Sequence, residues 1–289
     1  MKSPIVGGRA ATLGLLLVPA LVLTLVFFGI PALYMVRMSF NGHQPQAFFV
    51  PAFTVENYIK LVSDPLIRNA IWNTLRLSII ASFLTIAISY VFAFIVWTKP
   101  PRWKLFFAAI ALCPLLISEI AIIFGWWMVF PKNGLLSLVL HTSGLVTQRS
   151  SLMYTEGAAF VGLIYITLPY SFFIFLSVFD EIDKRVLEAA ADLGAPPLTT
   201  FRTVLFPLTR GGILIASAQV FIWTMGAYAT PMALGPDTLW TLGFLIQDQM
   251  LAKHHWPMAA ALAMALAAGV AVVIVLLRWL QPEHRSHGG

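Results

Sequence analysis

Asp180 to Pro207 reads DEIDKRVLEAAADLGAPPLTTFRTVLFP, a long polar stretch set between two apolar runs. Ile182, Val186, Ala189, Ala190 and Leu193 recur at the spacing of one helical face. Gly194 stands where a helix gives way to a left-handed residue, and Pro197 suits the first turn of a second helix. Pro207 is expected to stop that second helix before the next apolar run. A connection this ordered implies a partner to hold or a fold to brace.

Around this stretch the chain is apolar: 59% of its 289 residues are hydrophobic and 10% are charged, against about 25% charged in a soluble domain. That composition specifies an integral membrane protein. The net charge of +6 is scattered among the loops and forms no basic face, which argues against a nucleic-acid partner. Cys113, the single cysteine, lies within an apolar run, so neither a disulfide framework nor a thiolate metal site is expected.

Runs long enough to cross a bilayer, about 20 residues, fall near 10–36, 77–97, 105–130, 157–179, 211–235 and 257–280. The expected fold is therefore all-α, with six transmembrane helices and both termini on one side. The first run is too long for a signal-peptide core and is read as a retained helix. With the N-terminus inside, inner segments hold eleven of the 18 Lys and Arg residues and outer segments seven. Lys99, Arg102 and Lys104 crowd into one short inner loop, so the termini are expected to be cytoplasmic. Trp72, Trp97, Trp103, Trp126, Trp127, Trp240, Trp256 and Trp279 fall near the predicted span ends, where amphipathic rings are favoured. The implied layout is residues 1–68 for the first helix and outer loop, 69–281 for a five-helix core containing the 180–207 loop, and 282–289 for a cytoplasmic tail.

In the first outer loop Thr54 is placed to cap a short helix with Val55, Tyr58, Ile59 and Val62 on one face, ended by Pro65. Asn73-Thr74-Leu75 is expected to open the second span. The second outer loop has the turn pair Asn133-Gly134 followed by the apolar Leu135–Leu140, an outer helical cap. The third runs from Pro236 to His255 and could meet a solute-binding protein or be plain connection. In the last run Ala259, Ala263, Ala267 and Ala271 recur every fourth residue, as do Ala261, Ala265 and Gly269, a pattern that lets helices approach closely.

No phosphate-binding loop, H-E-x-x-H or G-x-S-x-G is present, so no catalytic residue is assigned and no ATP hydrolysis is expected of this chain. The six histidines, His43, His141, His254, His255, His284 and His287, lie in loops or the tail and specify no metal site. Polar groups inside spans are the candidate solute path. Glu119 is the acidic residue set well inside an apolar run, where a central carboxylate costs roughly 2.5–3.5 kcal/mol unless it is paired or faces water. Gln219 and Trp223 are four apart and share a helix face, with Thr224 and Tyr228 nearby. A carboxylate beside aromatic faces suits a cationic ligand. A structural pair or a water-facing position near the outer interface for Glu119, and ordinary helix packing for Gln219 and Trp223, are the plain alternatives.

Glu188-Ala189-Ala190, Gly194 and Val204-Leu205-Phe206-Pro207 resemble the EAA loop of ABC importer permeases, EAA-x3-G-x9-I-x-L-P, with Val204 and Phe206 as conservative departures. FTVENYIKLVSDPLIRNAIWNTLRLS resembles the start of the core spans in those permeases. LEAAADLGAPPLTTFRTVLFPLTRGGI, GLIYITLPY and LIQDQMLAKHHWPMAAALA are similar to the first permease of spermidine/putrescine-type importers. The resemblance implies a type I importer permease fold in which Glu188, Ala189, Ala190, Gly194 and Pro207 couple to a cytoplasmic ATP-binding subunit dimer. It also implies a second permease subunit, a periplasmic solute-binding protein and an inner-membrane location, with ATP and magnesium on the partner and no cofactor on this chain. Ile122 occupies the place where that group often carries an arginine. Iron(III), opine and aminophosphonate importers share the architecture, and an ion-gradient transporter using Glu119 is the reading from another class.

Overall fold

Pro101–Leu116 and Glu119–Val129 replace the expected third span with two helices that meet at an angle of 102°. Pro114 lies in the last turn of the first helix, where it lacks an N–H and clashes with the preceding turn. Ile117 then turns to extended geometry. Ser118 restarts the chain by accepting a hydrogen bond from the Ala121 N–H at 3.3 Å. Glu119 is thus the first residue of a helix at a sharp bend, not the middle of a straight span.

The computed structural model describes residues 17–44 and 47–279. Expectations resting on residues 1–16 and 280–289, including the start of the first span and the tail, lie outside the described residues. In chain order the elements are α1 (Leu17–Ser39), β1 (Gly42–Gln44), β2 (Ala47–Val50), α2 (Glu56–Ser63), α3 (Pro65–Trp97), α4 (Pro101–Leu116), α5 (Glu119–Val129), α6 (Leu135–Thr142), α7 (Glu156–Asp180), α8 (Lys184–Asp192), α9 (Pro197–Met225), α10 (Ala229–Leu234), α11 (Leu242–Gln247) and α12 (Trp256–Trp279). Five of these helices are long and apolar enough to cross a membrane, and α4 with α5 makes six if the bent pair counts as one span. This is an all-α membrane fold carrying one small hairpin.

Three span limits differ from the sequence reading. α2 does end at Ser63 ahead of Pro65, but Pro65 also opens α3, well before the expected start of the second span, and Asp64 caps it by accepting from the Leu66 N–H at 2.8 Å. Asn73 and Thr74 consequently lie inside α3 rather than at its start. Pro207 does not stop the second loop helix either. A wide turn at Phe201–Leu205, in which the Phe206 N–H reaches the Phe201 carbonyl, precedes Pro207, and the helix continues to Met225. Such a bulge makes room for a ring that would otherwise clash one turn back. The fifth span therefore ends at Met225 rather than 235.

Among the described residues, contacts group the chain into two units, one of residues 64–245 with 266–279 and one of residues 17–63 with 246–265. In the larger unit α3, α7 and α9 pack around a core containing Tyr90, Ala93, Trp97, Phe172, Phe175, Phe179 and Ala216. Phe172, Phe175 and Phe179 follow the i, i+3, i+7 rhythm of one helix face and are fully buried. Among membrane helices close packing supplies the attraction. A Cβ on Gly212 of α9 would come within 2.6 Å of Val178 on α7.

In the smaller unit β1 and β2 pair antiparallel, Gly42 opposite Val50 and Gln44 opposite Ala47, a hairpin that the sequence reading did not place. Thr54 accepts from the Glu56 N–H at 3.1 Å and starts α2. On its apolar face Val55, Ile59 and Val62 are exposed and Tyr58 is half-buried, its hydroxyl 2.7 Å from Ser39 Oγ, while Asn57 and Leu61 are buried. Asn57 donates to the carbonyls of Ser39 and Asn41, which holds α2 against the end of α1. His255 accepts from the Met258 N–H through Nδ1 at 3.1 Å, capping α12, and its ring stacks on His43 with centroids 4.0 Å apart.

Candidate functional site

The loop from Asp180 to Pro207 is built by local capping. Asp183 accepts from the Arg185 N–H at 3.0 Å and starts α8. At the other end Gly194 adopts φ +74°. The Gly194 N–H reaches the Ala191 carbonyl at 2.9 Å and the Ala195 N–H reaches the Ala190 carbonyl at 3.1 Å, the paired bonds of a Schellman ending. Ile182 and Leu187 pack on the core of the larger unit. The expected apolar face is split, because Val186 and Leu193 point away from that core and are exposed, as is Leu198. Glu188, Ala189, Gly194 and Pro207 are exposed with them, and Ala190 is half-buried.

At the α4–α5 bend lies a cleft of about 420 Å³ lined by Glu119, Gln219, Ile222, Trp223, Gly226, Ala227, Tyr228 and Ala229. It brings together all four residues singled out as the candidate solute path. Glu119 comes from the first turn of α5, where unpaired N–H groups favour a carboxylate. Gln219 and Trp223 come from one face of α9, and Tyr228 from the break between α9 and α10. The Trp223 ring lies against Tyr170 of α7, centroids 5.1 Å apart. Thr230 donates to Glu119 Oε1 at 2.6 Å. Among the described residues no ion pair involves Glu119. The resulting surface offers one carboxylate, one amide and two aromatic rings.

Sequence reasoning missed Thr230 and the lining residues Ile222, Gly226, Ala227 and Ala229. Gly226 following Met225 was an available signal for the end of α9. Nothing in the sequence ties Thr230 to a residue 111 positions earlier. Ile122, at the place where the resembling permeases often carry an arginine, is buried and lies outside the cleft lining.

No family model matches the chain. It is 30% identical over 251 residues to the spermidine/putrescine transport system permease protein PotB of Haemophilus influenzae, covering 86% of this chain and 87% of that one. The chain belongs to the ABC importer permease family. The PotB protein of Escherichia coli is 28% identical over 254 residues, 88% of this chain and 92% of its own. A crystal structure of a bacterial ABC transporter involved in the import of the acidic polysaccharide alginate superposes on this permease with a TM-score of 0.76 at 16% identity, covering 94% of this chain and 96% of that one. As a member of the family this ABC permease is a multi-pass inner-membrane protein and a pore-forming, non-enzymatic subunit.

Proposed function

We propose that this permease forms the membrane path of an ATP-driven, binding-protein-dependent importer for a small cationic solute of the polyamine type. The observation that carries the reading is the cleft itself: Glu119, with no cationic partner among the described residues, beside the rings of Trp223 and Tyr228. A carboxylate and aromatic faces together attract an ammonium group. The names of the relatives, spermidine/putrescine permeases, point to the same chemistry. An opine or aminophosphonate would bring its own anionic groups against Glu119.

The loop supplies the coupling. Glu188, Ala189, Ala190, Gly194 and Pro207 lie on an ordered, largely exposed element whose side chains Val186, Leu193 and Leu198 are uncovered, a surface suited to a dimeric cytoplasmic ATP-binding partner. ATP and magnesium would bind that partner. A second permease subunit completes a heterodimer, a periplasmic protein delivers the solute, and the Lys and Arg bias puts both termini in the cytoplasm.

Reconstitution of the complex with its binding protein tests the cargo. Uptake of radiolabelled spermidine and putrescine is expected, with Glu119→Gln raising the half-saturation concentration while assembly and basal ATPase persist. If Glu119→Gln abolishes assembly, or leaves half-saturation unchanged, the cationic reading is wrong.

A further inference from the structure

Most buried helical threonines among the described residues spend their hydroxyl proton on their own helix, Thr85 excepted, which meets the Thr167 hydroxyl of α7 at 3.2 Å. Thr74, Thr167, Thr209 and Thr224 each donate to the carbonyl four residues back. Thr230 does something else. It is the second residue of α10, so the residue four back, Gly226, belongs to the preceding break and not to its helix. Its hydroxyl instead crosses to α5 and donates to Glu119 Oε1 at 2.6 Å.

The orientation of that hydroxyl is fixed from behind. Thr230 is fully buried and is not among the residues that line the cleft. Gly162 of α7 leaves the space that the Thr230 methyl fills, since a Cβ on Gly162 would stand 2.6 Å from Thr230 Cγ2 and 2.7 Å from Leu234 Cδ1. A β-branched side chain with its methyl keyed into one helix has little freedom at χ1, and its hydroxyl is held toward Glu119. A hydroxyl has one proton to give and a carboxylate two oxygens to receive. Thr230 fills one acceptor site on Oε1, and Oε2 stays open to a ligand.

From this geometry we infer that Thr230 is a positioning residue that presents the Glu119 carboxylate to a cationic solute, with Gly162 as its backstop. The inference deepens the cationic reading of the cleft and rests on it. Thr230 itself touches no solute; it acts through Glu119.

The test is a double-mutant cycle on solute uptake by the reconstituted complex, with spermidine as the probe. Thr230→Val keeps the branched shape and removes the hydroxyl, and is expected to raise the half-saturation concentration by roughly tenfold, the scale of one charge-assisted hydrogen bond, with maximal rate and basal ATPase little changed. Thr230→Ser restores the donor and should recover most of the wild-type half-saturation. In a Glu119→Gln background Thr230→Val should add little, because the group it positions has already lost its charge. Independent, multiplying effects of the two substitutions, or a Thr230→Ser variant as impaired as Thr230→Val, would overturn the assignment. Should Thr230→Val not assemble, Thr230→Ala serves in its place, and unchanged half-saturation there refutes the proposal. A normal half-saturation in Glu119→Gln alone is a different failure, that of the cationic cleft.

Discussion

Lys184 places its ammonium 5.0 Å above the ring of Trp97, joining the first residue of the loop helix α8 to the last residue of the span α3. Trp97 also stacks on Phe179, centroids 5.6 Å apart, and Lys104 on α4 pairs with Asp180 at the end of α7. The loop is therefore tied at its base to three membrane helices. Trp97 is 4% exposed, so Trp97→Ala should destabilise the larger unit by about 3–5 kcal/mol. Lys184→Met, which removes the charge and keeps much of the stem, should cost about 0.5–1 kcal/mol. Thermal unfolding in detergent checks the ranking, and equal losses for the two variants would show that the ring is not the anchor.

Gly194 is the loop position that a side chain disturbs through backbone conformation alone. A Cβ there meets nothing within 4 Å, while φ is +74°. Gly194→Val should cost about 1–2 kcal/mol locally and redirect the chain after α8, with insertion unchanged but import impaired. Gly194→Asn, which tolerates the left-handed region better, should retain more activity. The check is pull-down of the ATP-binding subunit alongside uptake; full transport by Gly194→Val at normal expression would contradict a coupling role.

Much of the loop was legible because its signals are local. Gly194 and Pro197 each act within a few residues and do what their chemistry prescribes; the Asp183 cap is just as local but was not read from the sequence. The bend before Glu119 was hidden because both sides of it are apolar, so hydropathy runs through 105–130 without a break. Pro114 and the Ser118 cap were the available warnings. Pro207 misled in the opposite direction, since its effect depends on a widened turn that only the surrounding packing selects. Gln219 and Trp223 could be paired by helical spacing, but their meeting with Glu119 is tertiary and depends on the bend between α4 and α5.

Gly162 should tolerate no larger residue. Gly162→Val would drive side chains into Thr230 and Leu234, and overpacking of this kind costs about 1–3 kcal/mol. A lower unfolding temperature together with weaker solute affinity is expected, measured by thermal unfolding and by uptake. Unchanged stability in Gly162→Val would mean that α7 and α10 are not in close contact.

His255 predicts a dependence on acid. Burial first, and then the neighbouring His43, push it down from 6.5 to about 4; Lys60 and Glu56 are the other charges that act on it. Between pH 6.5 and 4 the unfolded chain binds the proton more strongly than the folded one, so this contribution to stability is complete above about 6.5 and is lost as pH falls toward 4. Protonation also removes the Nδ1 acceptor that caps α12. His255→Asn keeps a capping side chain without a titrating group. The wild-type unfolding temperature should fall more than that of the variant across this window, and parallel curves would exclude His255 as the titrating group.

The central claim, that this permease moves its solute by coupling to a separate ATP-binding partner, is tested most directly in proteoliposomes holding the full complex, with ATP inside and binding protein outside. Spermidine uptake is predicted to require both and to persist when a protonophore collapses the proton gradient. Uptake that proceeds without ATP or binding protein and stops with the protonophore would contradict the account and make Glu119 the centre of a gradient-driven transporter.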